Sequence, residues 1–218
     1  MLAMVLHFSI CNFSLPAAAE FNRYAASLRL LSSQVTIPSS NASMRIPSSR
    51  NPDVTSSVNP FITNSLNPRI TSSLNPRITS SKNPSITSSL NPRISSRLNP
   101  RITSSLNYRI TSSINPRITS SLNPNITASI NPNVTSNIDG LYIFNLKCEP
   151  VGFTVSANER VSLIFSLDVQ FNAVGIKARD DFWNIFNLDH EWIGFWISAR
   201  DNSCLRFNLD KEWVGFTT

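Results

Sequence analysis

Aliphatic and polar residues recur with a fixed period of eight between residues 51 and 138. The octad Asn-Pro-x-Ile-Thr-Ser-Ser-Leu, with small variations, occurs eleven times without insertion or deletion. Such a period is typical of a solenoid, a fibrous array or a low-complexity repeat. The segment SMRIPSSR at 43–50 indicates a diverged twelfth copy. An asparagine begins each octad, at positions 51, 59, 67, 75, 83, 91, 99, 107, 115, 123 and 131.

Proline limits the backbone that the octads can form. It follows the asparagine in every copy but one, where Tyr108 stands instead. A proline every eight residues excludes a continuous α-helix, because each proline lacks an amide hydrogen and clashes with the preceding turn. The Asn-Pro pair favours a turn. Each octad is therefore predicted to be a turn followed by about five extended residues.

An ordered array is one of two alternatives for the octads. The strand period of two places Ile102, Ser104 and Leu106 on one face, and Thr103 and Ser105 on the other. Stacked octads would form a slim β-solenoid with a Thr-x-Ser face, which loosely resembles the flat threonine arrays of β-solenoid antifreeze proteins. That resemblance implies a protein that binds ice or another surface.

The other alternative is an extended or disordered octad tract. Serine and threonine make up 30 of the 88 residues from 51 to 138, which suits an O-glycosylated stalk or spacer. Lys82 stands where the other octads have an aliphatic residue, and burying its charge without a partner would be costly. The few aliphatic residues in each octad offset little of the entropy lost on ordering. We therefore expect an extended or disordered tract.

A second repeat, with a different period, follows Gly140. Four segments begin 21 positions apart, at Ile143, Ile164, Ile185 and Arg206, with Phe at the second position and Leu at the fourth in each. Short aromatic and β-branched runs between polar turns predict strands. Units of this size cannot bury their own apolar face, so neighbours must stack. The chain is thus expected to be mainly β and irregular, with the octad tract followed by a small β-meander of 21-residue repeats.

Charge and aromatic residues divide the chain into the same parts. All four tryptophans and nine of the thirteen phenylalanines follow residue 139. The net charge is +3 over 1–50, +7 over 51–138 and −4 over 139–218. A basic segment raises nucleic acid or an anionic surface as a partner. Only Phe61 and Tyr108 could stack on bases there, so specific nucleic-acid binding is not expected. Protein, glycan or an anionic surface remain as candidate partners.

The N-terminus has the pattern of a secretory signal. Residues 1–19 hold an apolar run followed by Pro16 and three alanines, and cleavage is expected after Ala19. No lysine or arginine precedes the apolar run, which departs from that pattern. The run is too short and too polar for a membrane span. The resulting division is a signal peptide at 1–19, a linker at 20–50, the octads at 51–138 and an aromatic β block at 139–218, in a secreted or extracellular protein.

Secretion would give several residues a chemical role. Removal of the signal would leave two cysteines, Cys148 and Cys204, which could form one disulfide in an oxidising compartment. The same compartment allows N-glycosylation of sequons. Exposed tryptophans in the β block would offer surface contacts, for example a platform for sugars. The candidate glycan acceptors are Asn41, Asn125 and Asn133, and the candidate contacts are Trp192, Trp196 and Trp213.

Catalytic chemistry has little support in the sequence. His190, between Asp189 and Glu191, is the only cluster that resembles a chemical site, and Lys211 takes the corresponding place in the next segment. That exchange indicates a solvated turn position. With two histidines in the chain and no nucleophile motif or phosphate-binding loop, we expect neither an enzyme nor a metal or cofactor site.

Three functions remain open from the sequence. The first is a non-enzymatic secreted or surface repeat protein, in which a Ser/Thr/Pro-rich spacer carries a small β interaction module. The second is an ice- or surface-binding β-solenoid. The third is a translated tandem repeat without a selected biochemical activity.

Overall fold

The C-terminal part of the chain forms a closed antiparallel barrel of eight strands. A computed structural model describes residues 44–200 and 203–218. Each strand pairs with the next, and the last pairs with the first through Ile143 with Thr217 and Phe144 with Phe216. The expectation of a mainly β chain is confirmed, and the meander closes into a barrel. The strands are β1 Tyr142–Asn145, β2 Pro150–Asn158, β3 Val161–Ser166, β4 Phe171–Arg179, β5 Phe182–Asn187, β6 Trp192–Arg200, β7 Ser203–Asn208 and β8 Trp213–Thr217.

Alternate hairpin turns of the barrel share one conformation. In the turn between β1 and β2, the side-chain oxygen of Asn145 accepts hydrogen bonds from the backbone N–H groups of Lys147 at 2.8 Å and Glu149 at 3.1 Å. Cys148, which precedes Glu149, takes a left-handed backbone conformation, and a β-bulge follows in β2. The left-handed residues lie 21 positions apart, at Cys148, Val169, His190 and Lys211, with φ between 58° and 63°.

Two turns, joined by single extended residues, make up each octad. The first is the Asn-Pro turn, and the second is a 3-10 turn over residues of the Ser-Ser-Leu type. Thr103 (φ −91°, ψ 103°) and Asn107 (φ −92°, ψ 105°) are the extended links of one octad. The 3-10 turns are Ser48–Arg50, Ser56–Val58, Asn64–Leu66, Ser72–Leu74, Ser80–Lys82, Ser88–Leu90, Ser96–Leu98, Ser104–Leu106, Ser112–Ile114, Ser120–Leu122 and Ala128–Ile130.

The expectation of five extended residues in each octad is wrong, because the 3-10 turn interrupts them. The amide of Leu106 donates to the carbonyl of Thr103 at 3.0 Å. This bond closes a turn where a strand would require an extended backbone. Strand alternation is consequently lost. Ile102 is 66% exposed and Ser104 is also exposed, whereas Leu106 is 2% exposed, so these three residues do not share a face.

Each residue type in the octad has a separate structural task. The side-chain oxygen of Asn99 accepts from the backbone N–H of Arg101 at 2.9 Å, which stabilises the Asn-Pro turn from within. The hydroxyl of Thr103 donates to the carbonyl of Ser96 in the preceding octad at 2.8 Å. The same threonine bond recurs in most copies and links neighbouring octads. Most octads bury their proline and their last, aliphatic residue.

The octads wrap around the outside of the barrel. Four of the buried octad leucines belong to one hydrophobic cluster with the phenylalanines on one face of the strands. They are Leu74, Leu90, Leu106 and Leu122. The opposite strand face forms a separate small cluster around Ile143, Ile185 and Trp196, and no octad residue belongs to it. An eight-stranded barrel has room inside only for its own side chains. The second cluster is therefore the barrel interior, and we call the surrounding octad segment, residues 44–138, the belt.

The belt runs once around the barrel and closes on itself. Along the chain it packs in turn against β6, β4 and β2. At its two ends, the backbone N–H of Arg45 donates to the carbonyl of Pro132 at 2.6 Å, and the Arg45 guanidinium donates to the carbonyl of Val134 at 3.0 Å. Tyr142 at the start of the barrel contacts both ends, because its hydroxyl oxygen lies 2.8 Å from the carbonyl oxygen of Ser136 and 3.2 Å from that of Arg45.

Lys82 is partly buried and has a partner. Its side chain is 13% exposed, and its ammonium group forms an ion pair with Asp181 in the turn between β4 and β5. Asp181 also accepts a hydrogen bond from Arg179 at 2.6 Å. The cost that Lys82 would impose on an ordered octad is thus offset by a carboxylate from the barrel.

Candidate binding site

Three clefts of the same design open where the belt crosses the hairpin turns. Their belt residues are spaced by 24 positions, which is three octads, and their barrel residues by 21. The first, the His190 cleft, has a volume of about 360 Å³ and is lined by Pro92, Arg93, Asn99, Arg101, Phe186, His190, Glu191 and Trp192. The second is lined by Pro68, Arg69, Asn75, Arg77, Phe207, Lys211, Glu212 and Trp213, and the third by Pro116, Arg117, Asn123, Asn125, Phe165, Val169, Gln170 and Phe171.

Arginine and an aromatic ring form the wall of the first two clefts. The guanidinium carbon of Arg93 lies 5.5 Å from the ring centre of Trp192, and Arg69 lies at the same distance from Trp213. These are cation–π distances. In the His190 cleft a second arginine, Arg101, donates to the carbonyl of Asp189 at 2.9 Å. One donor group of Arg101 thereby anchors the belt, and the side chain remains exposed.

His190 is in a turn, as predicted, but it is not solvated. The residue is 8% exposed, because the ring of Tyr108 packs on it with centres 5.4 Å apart. Tyr108 stands where the other octads have proline, so a belt substitution covers this turn. Burial lowers the pKa of His190, and the positive charges of Arg109 and Arg101 lower it further. Both effects favour the neutral imidazole.

Two buried polar atoms of the His190 cleft have no hydrogen-bond partner among the described residues. They are Nε2 of His190 and Nε1 of Trp192. The corresponding indole of the second cleft is satisfied, since Nε1 of Trp213 donates to the carbonyl of Gly215 at 2.8 Å. Buried polar groups without partners are rare in proteins. The His190 cleft is thus chemically different from its equivalents.

The candidate tryptophan contacts do not form an exposed platform. Trp196 is 6% exposed and lies in the barrel interior with Ile185. Trp213 is 9% exposed, because Phe61 and Arg69 of the belt cover it. Trp192 is half-buried beside Arg93. The belt covers Trp213 and part of Trp192, and the barrel itself encloses Trp196.

Cys148 and Cys204 are free thiols in this structure. Cys148 lies in the first hairpin turn, where its sulfur accepts a hydrogen bond from the Asn59 side chain at 3.7 Å. Cys204 is buried in the barrel interior, 3.7 Å from the Ser198 hydroxyl. Burial raises the pKa of both thiols. The structure gives the two sulfurs different surroundings and does not join them.

The glycan acceptors within the described residues are already hydrogen-bonded. The side-chain nitrogen of Asn125 donates to the carbonyl of Val169 at 3.2 Å, and that of Asn133 donates to the carbonyl of Leu167 at 3.0 Å. A glycan on either nitrogen would have to displace a contact between belt and barrel. Asn41 lies outside the described residues, as does the candidate signal peptide at 1–19.

A buried cation lies inside the barrel. Arg206 takes the inward position that Ile143, Ile164 and Ile185 take in the three preceding segments. Burial lowers its pKa to about 10. One guanidinium nitrogen is 3.3 Å from the carbonyl of Phe144, whereas Nε has no hydrogen-bond partner in the described part of the chain.

Comparison with known proteins supplies no relative. No protein-family model, no curated protein and no solved structure matches the chain. Across residues 44–200 and 203–218, no helix is both long enough and apolar enough to cross a membrane. The same residues contain no group of three or more His, Cys, Asp or Glu side chains placed to hold a metal ion.

The sequence singled out His190 and Trp192 but missed the belt side of their cleft. Arg93 and Arg101 come from a segment about ninety residues earlier, and that segment is not unusual alone. A signal was nevertheless present. Three octads span 24 positions and one hairpin unit spans 21. If three octads pack along each hairpin unit, the Arg93 and Trp192 segments are placed side by side.

Proposed function

We propose that the protein is a non-enzymatic repeat protein, secreted or located at a surface, that acts by binding through its belt. The observation that carries the proposal is a series of exposed aliphatic side chains, one in each octad. Soluble monomers rarely expose large apolar patches, and those that do commonly use them to bind. The series is Val54, Ile62, Ile70, Ile78, Ile86, Ile94, Ile102, Ile110, Ile118, Ile126 and Val134, each between 50% and 69% exposed.

The chemistry of the belt favours an anionic surface with apolar character, such as an anionic lipid bilayer. Six of the exposed isoleucines directly follow an exposed arginine, as in Arg77-Ile78 and Arg101-Ile102. The belt carries a net charge of +7 over residues 51–138. Single Arg-Ile pairs would bind weakly, but repeated contacts on one rigid support reinforce each other. The barrel contributes the support.

The ice-binding alternative has less support from the belt. A threonine ladder binds through free hydroxyl groups in a flat array. Here the threonine hydroxyls already donate hydrogen bonds to carbonyl groups of the preceding octad, as Thr71 does to Asn64 at 2.7 Å. Three octads of the belt correspond to one hairpin of the barrel, and a change in either period would disrupt this match. The match therefore supports a selected protein structure over a translated repeat without activity.

Vesicle binding tests the proposal. We expect the full chain to sediment with vesicles of mixed phosphatidylglycerol and phosphatidylcholine, to bind less as salt rises, and to stay in solution with phosphatidylcholine alone. Changing Ile70, Ile78, Ile94 and Ile102 to serine should reduce sedimentation at least about tenfold, since roughly 1 kcal/mol or more of apolar contact is lost at each engaged position. A variant with four exposed serines changed to alanine is the matched control.

Two results would overturn this function. One is equal recovery of the isoleucine variant and its control with the anionic vesicles. The other is a chain that stays in solution with both types of vesicle. Secretion is tested separately, by N-terminal sequencing of protein expressed through a secretory pathway, where an intact segment 1–19 would contradict it.

A further inference from the structure

One octad residue departs from the repeat and packs on a titratable residue of the barrel. Tyr108 replaces the proline of its octad, and the centre of its ring lies 5.4 Å from the centre of the His190 ring. We propose that Tyr108 and His190 form a pH-sensitive latch, which holds the belt on the turn between β5 and β6 at neutral pH and releases it when His190 takes up a proton. The latch is separate from the exposed belt isoleucines, so the inference goes beyond the function proposed above.

The Tyr108 octad is held to the barrel by the same turn that carries His190. The hydroxyl of Tyr108 donates to the carbonyl of Leu188 at 3.0 Å. Arg109 continues the contact, since its guanidinium donates to the Tyr108 hydroxyl at 3.2 Å and forms an ion pair with Asp189 at 3.0 Å. A charge on the His190 ring would therefore act directly on the contact between belt and turn.

The buried ring of His190 is better suited to a neutral than to a charged state. The residue is 8% exposed, and its Nε2 atom is shielded from solvent and has no hydrogen-bond partner among the described residues. A neutral imidazole can carry its proton on the other ring nitrogen, whereas an imidazolium carries a proton on both. Protonation of the covered ring would bury a charged N–H group without an acceptor, which is costly. Release of the belt would let water act as that acceptor.

Charged side chains of the belt also oppose a positive charge on the His190 ring. Arg93 and Arg101 line the same cleft as His190, and Arg109 follows Tyr108 in the sequence. Burial lowers the pKa of His190, and the positive charges of Arg109 and Arg101 lower it further. The bound belt thus stabilises the neutral ring.

Two carboxylates in the same turn could attract a charged ring, but both are engaged. The charge of Asp189 raises the pKa of His190, though less than burial and the two arginines lower it. The Asp189 side chain is 75% exposed and paired with Arg109, so water screens its attraction. The Oε2 atom of Glu191 accepts from the side chain of Asn187 at 2.9 Å. Neither carboxylate therefore offsets the belt arginines.

The equivalent turn between β7 and β8 has the opposite arrangement of charge. Lys211 takes the place of His190, and its ammonium nitrogen lies 3.4 Å from the hydroxyl oxygen of Ser85. Ser85 lies three octads before Arg109 and is its counterpart in the belt. A permanent cation in one turn thus meets a neutral oxygen of the belt, whereas a belt cation adjoins the turn residue that can be neutral. This exchange fits an uncharged His190 beneath the bound belt.

The sign of the pH dependence follows from these contacts. His190 binds a proton less readily while Tyr108 covers it than after release, when its ordinary pKa of 6.5 applies. Acid therefore favours release, beginning near pH 6.5, by up to about tenfold per pH unit until the covered ring is also protonated. Between about pH 7.5 and about pH 5 the release equilibrium should increase about five- to thirtyfold.

Titration of the two histidine rings by NMR in the full chain tests the covering of His190. We expect His190 to titrate below pH 6.5 in the natural sequence and closer to pH 6.5 in Tyr108→Pro, which restores the octad proline and uncovers the ring. The His190 signal is the one that disappears in His190→Asn. A midpoint at or above 6.5 in the natural sequence, or an equal midpoint in Tyr108→Pro, would overturn the proposal.

Amide hydrogen exchange tests the release itself. The amides of Ile110 and Thr111 close the turn that holds Tyr108, since they donate to the carbonyl of Asn107 at 3.1 and 2.9 Å. Corrected for the intrinsic pH dependence of exchange, their protection should fall about five- to thirtyfold between about pH 7.5 and about pH 5. The matched amides of Ile86 and Thr87, three octads earlier, should keep theirs. No fall, or an equal fall at both places, would contradict the latch.

His190→Asn is the matched variant for the exchange measurement. Asparagine does not titrate, and it tolerates the left-handed backbone of residue 190, where φ is 58°. The protection of Ile110 and Thr111 should then change by less than about twofold over the same pH range. The original fall in this variant would assign the effect to another group and overturn the proposal. Neither measurement uses vesicles, so a failure of the latch can be distinguished from a failure of the proposed surface binding.

Discussion

Leu106→Ala should destabilise the barrel, although Leu106 lies in the belt. The side chain is 2% exposed and belongs to the same hydrophobic cluster as the outward-facing phenylalanines of the strands. Removing it would leave a cavity between belt and barrel. If the two segments fold as one unit, the loss must appear in the unfolding of the whole.

The size of the effect follows from the surroundings of Leu106. Leu→Ala changes in protein cores cost about 2–5 kcal/mol, and the cost falls where neighbours can close the cavity. A surface cleft lined by Ser105, Asn158 and Val161 adjoins Leu106, so partial closure is available on that side. We therefore expect about 2–3 kcal/mol. With a urea m-value of about 2 kcal/mol/M, the unfolding midpoint should fall by about 1 M.

Urea unfolding followed by tryptophan fluorescence measures this loss. All four tryptophans lie in the barrel, and Trp192 and Trp213 also contact the belt, so the signal reports barrel unfolding together with the loss of those contacts. Ile102→Ala is the matched control, because Ile102 is in the same octad and 66% exposed. It should change the stability by less than about 0.5 kcal/mol. An unchanged midpoint for Leu106→Ala would refute the shared core.

Three further predictions concern local features. Burial alone would raise the pKa of Asp181, but hydrogen bonds from Lys82 and Arg179 outweigh it and hold the pKa below its ordinary value of 3.8. The stability from this carboxylate is thus present at pH 7 and lost as the pH falls below about 4, so the loss of unfolding free energy caused by Asp181→Asn should shrink between pH 7 and pH 3. Lys211 has φ near 61°, so Lys211→Gly should stabilise the protein by about 1 kcal/mol in thermal or urea unfolding, and Lys211→Ala should not. Cys204 is 6% exposed, so a thiol reagent should modify it only after denaturation, whereas rapid modification in the native state would contradict its position inside the barrel.

Local patterns were sufficient to predict the Asn-Pro turns and the strands, but not the 3-10 turn in each octad. The Asn-Pro pair marks a turn because proline sets φ and asparagine accepts a bond from two residues ahead, as Asn99 does. The short β-branched and aromatic runs mark strands in the 21-residue units. The argument that single units cannot bury their apolar faces also correctly requires neighbours, since units of both kinds share one cluster.

Long-range pairing could not be predicted from these local patterns. Barrel closure depends on β1 meeting β8, and no local feature of Ile143 or Thr217 specifies it. The entropy estimate that favoured a disordered octad tract omitted the barrel as a packing partner for the leucines. It also omitted Asp181, which lies 99 residues from Lys82 and compensates its charge. These contributions appear only when the two segments are placed together.

The His190 cleft illustrates the same limit at a single site. The exchange of His190 with Lys211 predicts solvent exposure only if both turns have the same neighbours. Tyr108 breaks that equivalence, because it replaces proline in one octad and packs on His190. Equivalent positions in a repeat therefore have different surroundings where a substituted octad residue packs on a substituted barrel residue, as Tyr108 does on His190.

Amide hydrogen exchange of the full chain, resolved by peptide, tests most directly whether the belt is ordered on the barrel. In the structure, the amides of Leu90, Leu98 and Leu106 each donate to a backbone carbonyl at 3.0 Å beneath a buried side chain. We predict that belt peptides containing them exchange as slowly as peptides from β3 and β5. Exchange of the belt at the rate of an unstructured chain, while the barrel stays protected, would contradict the account.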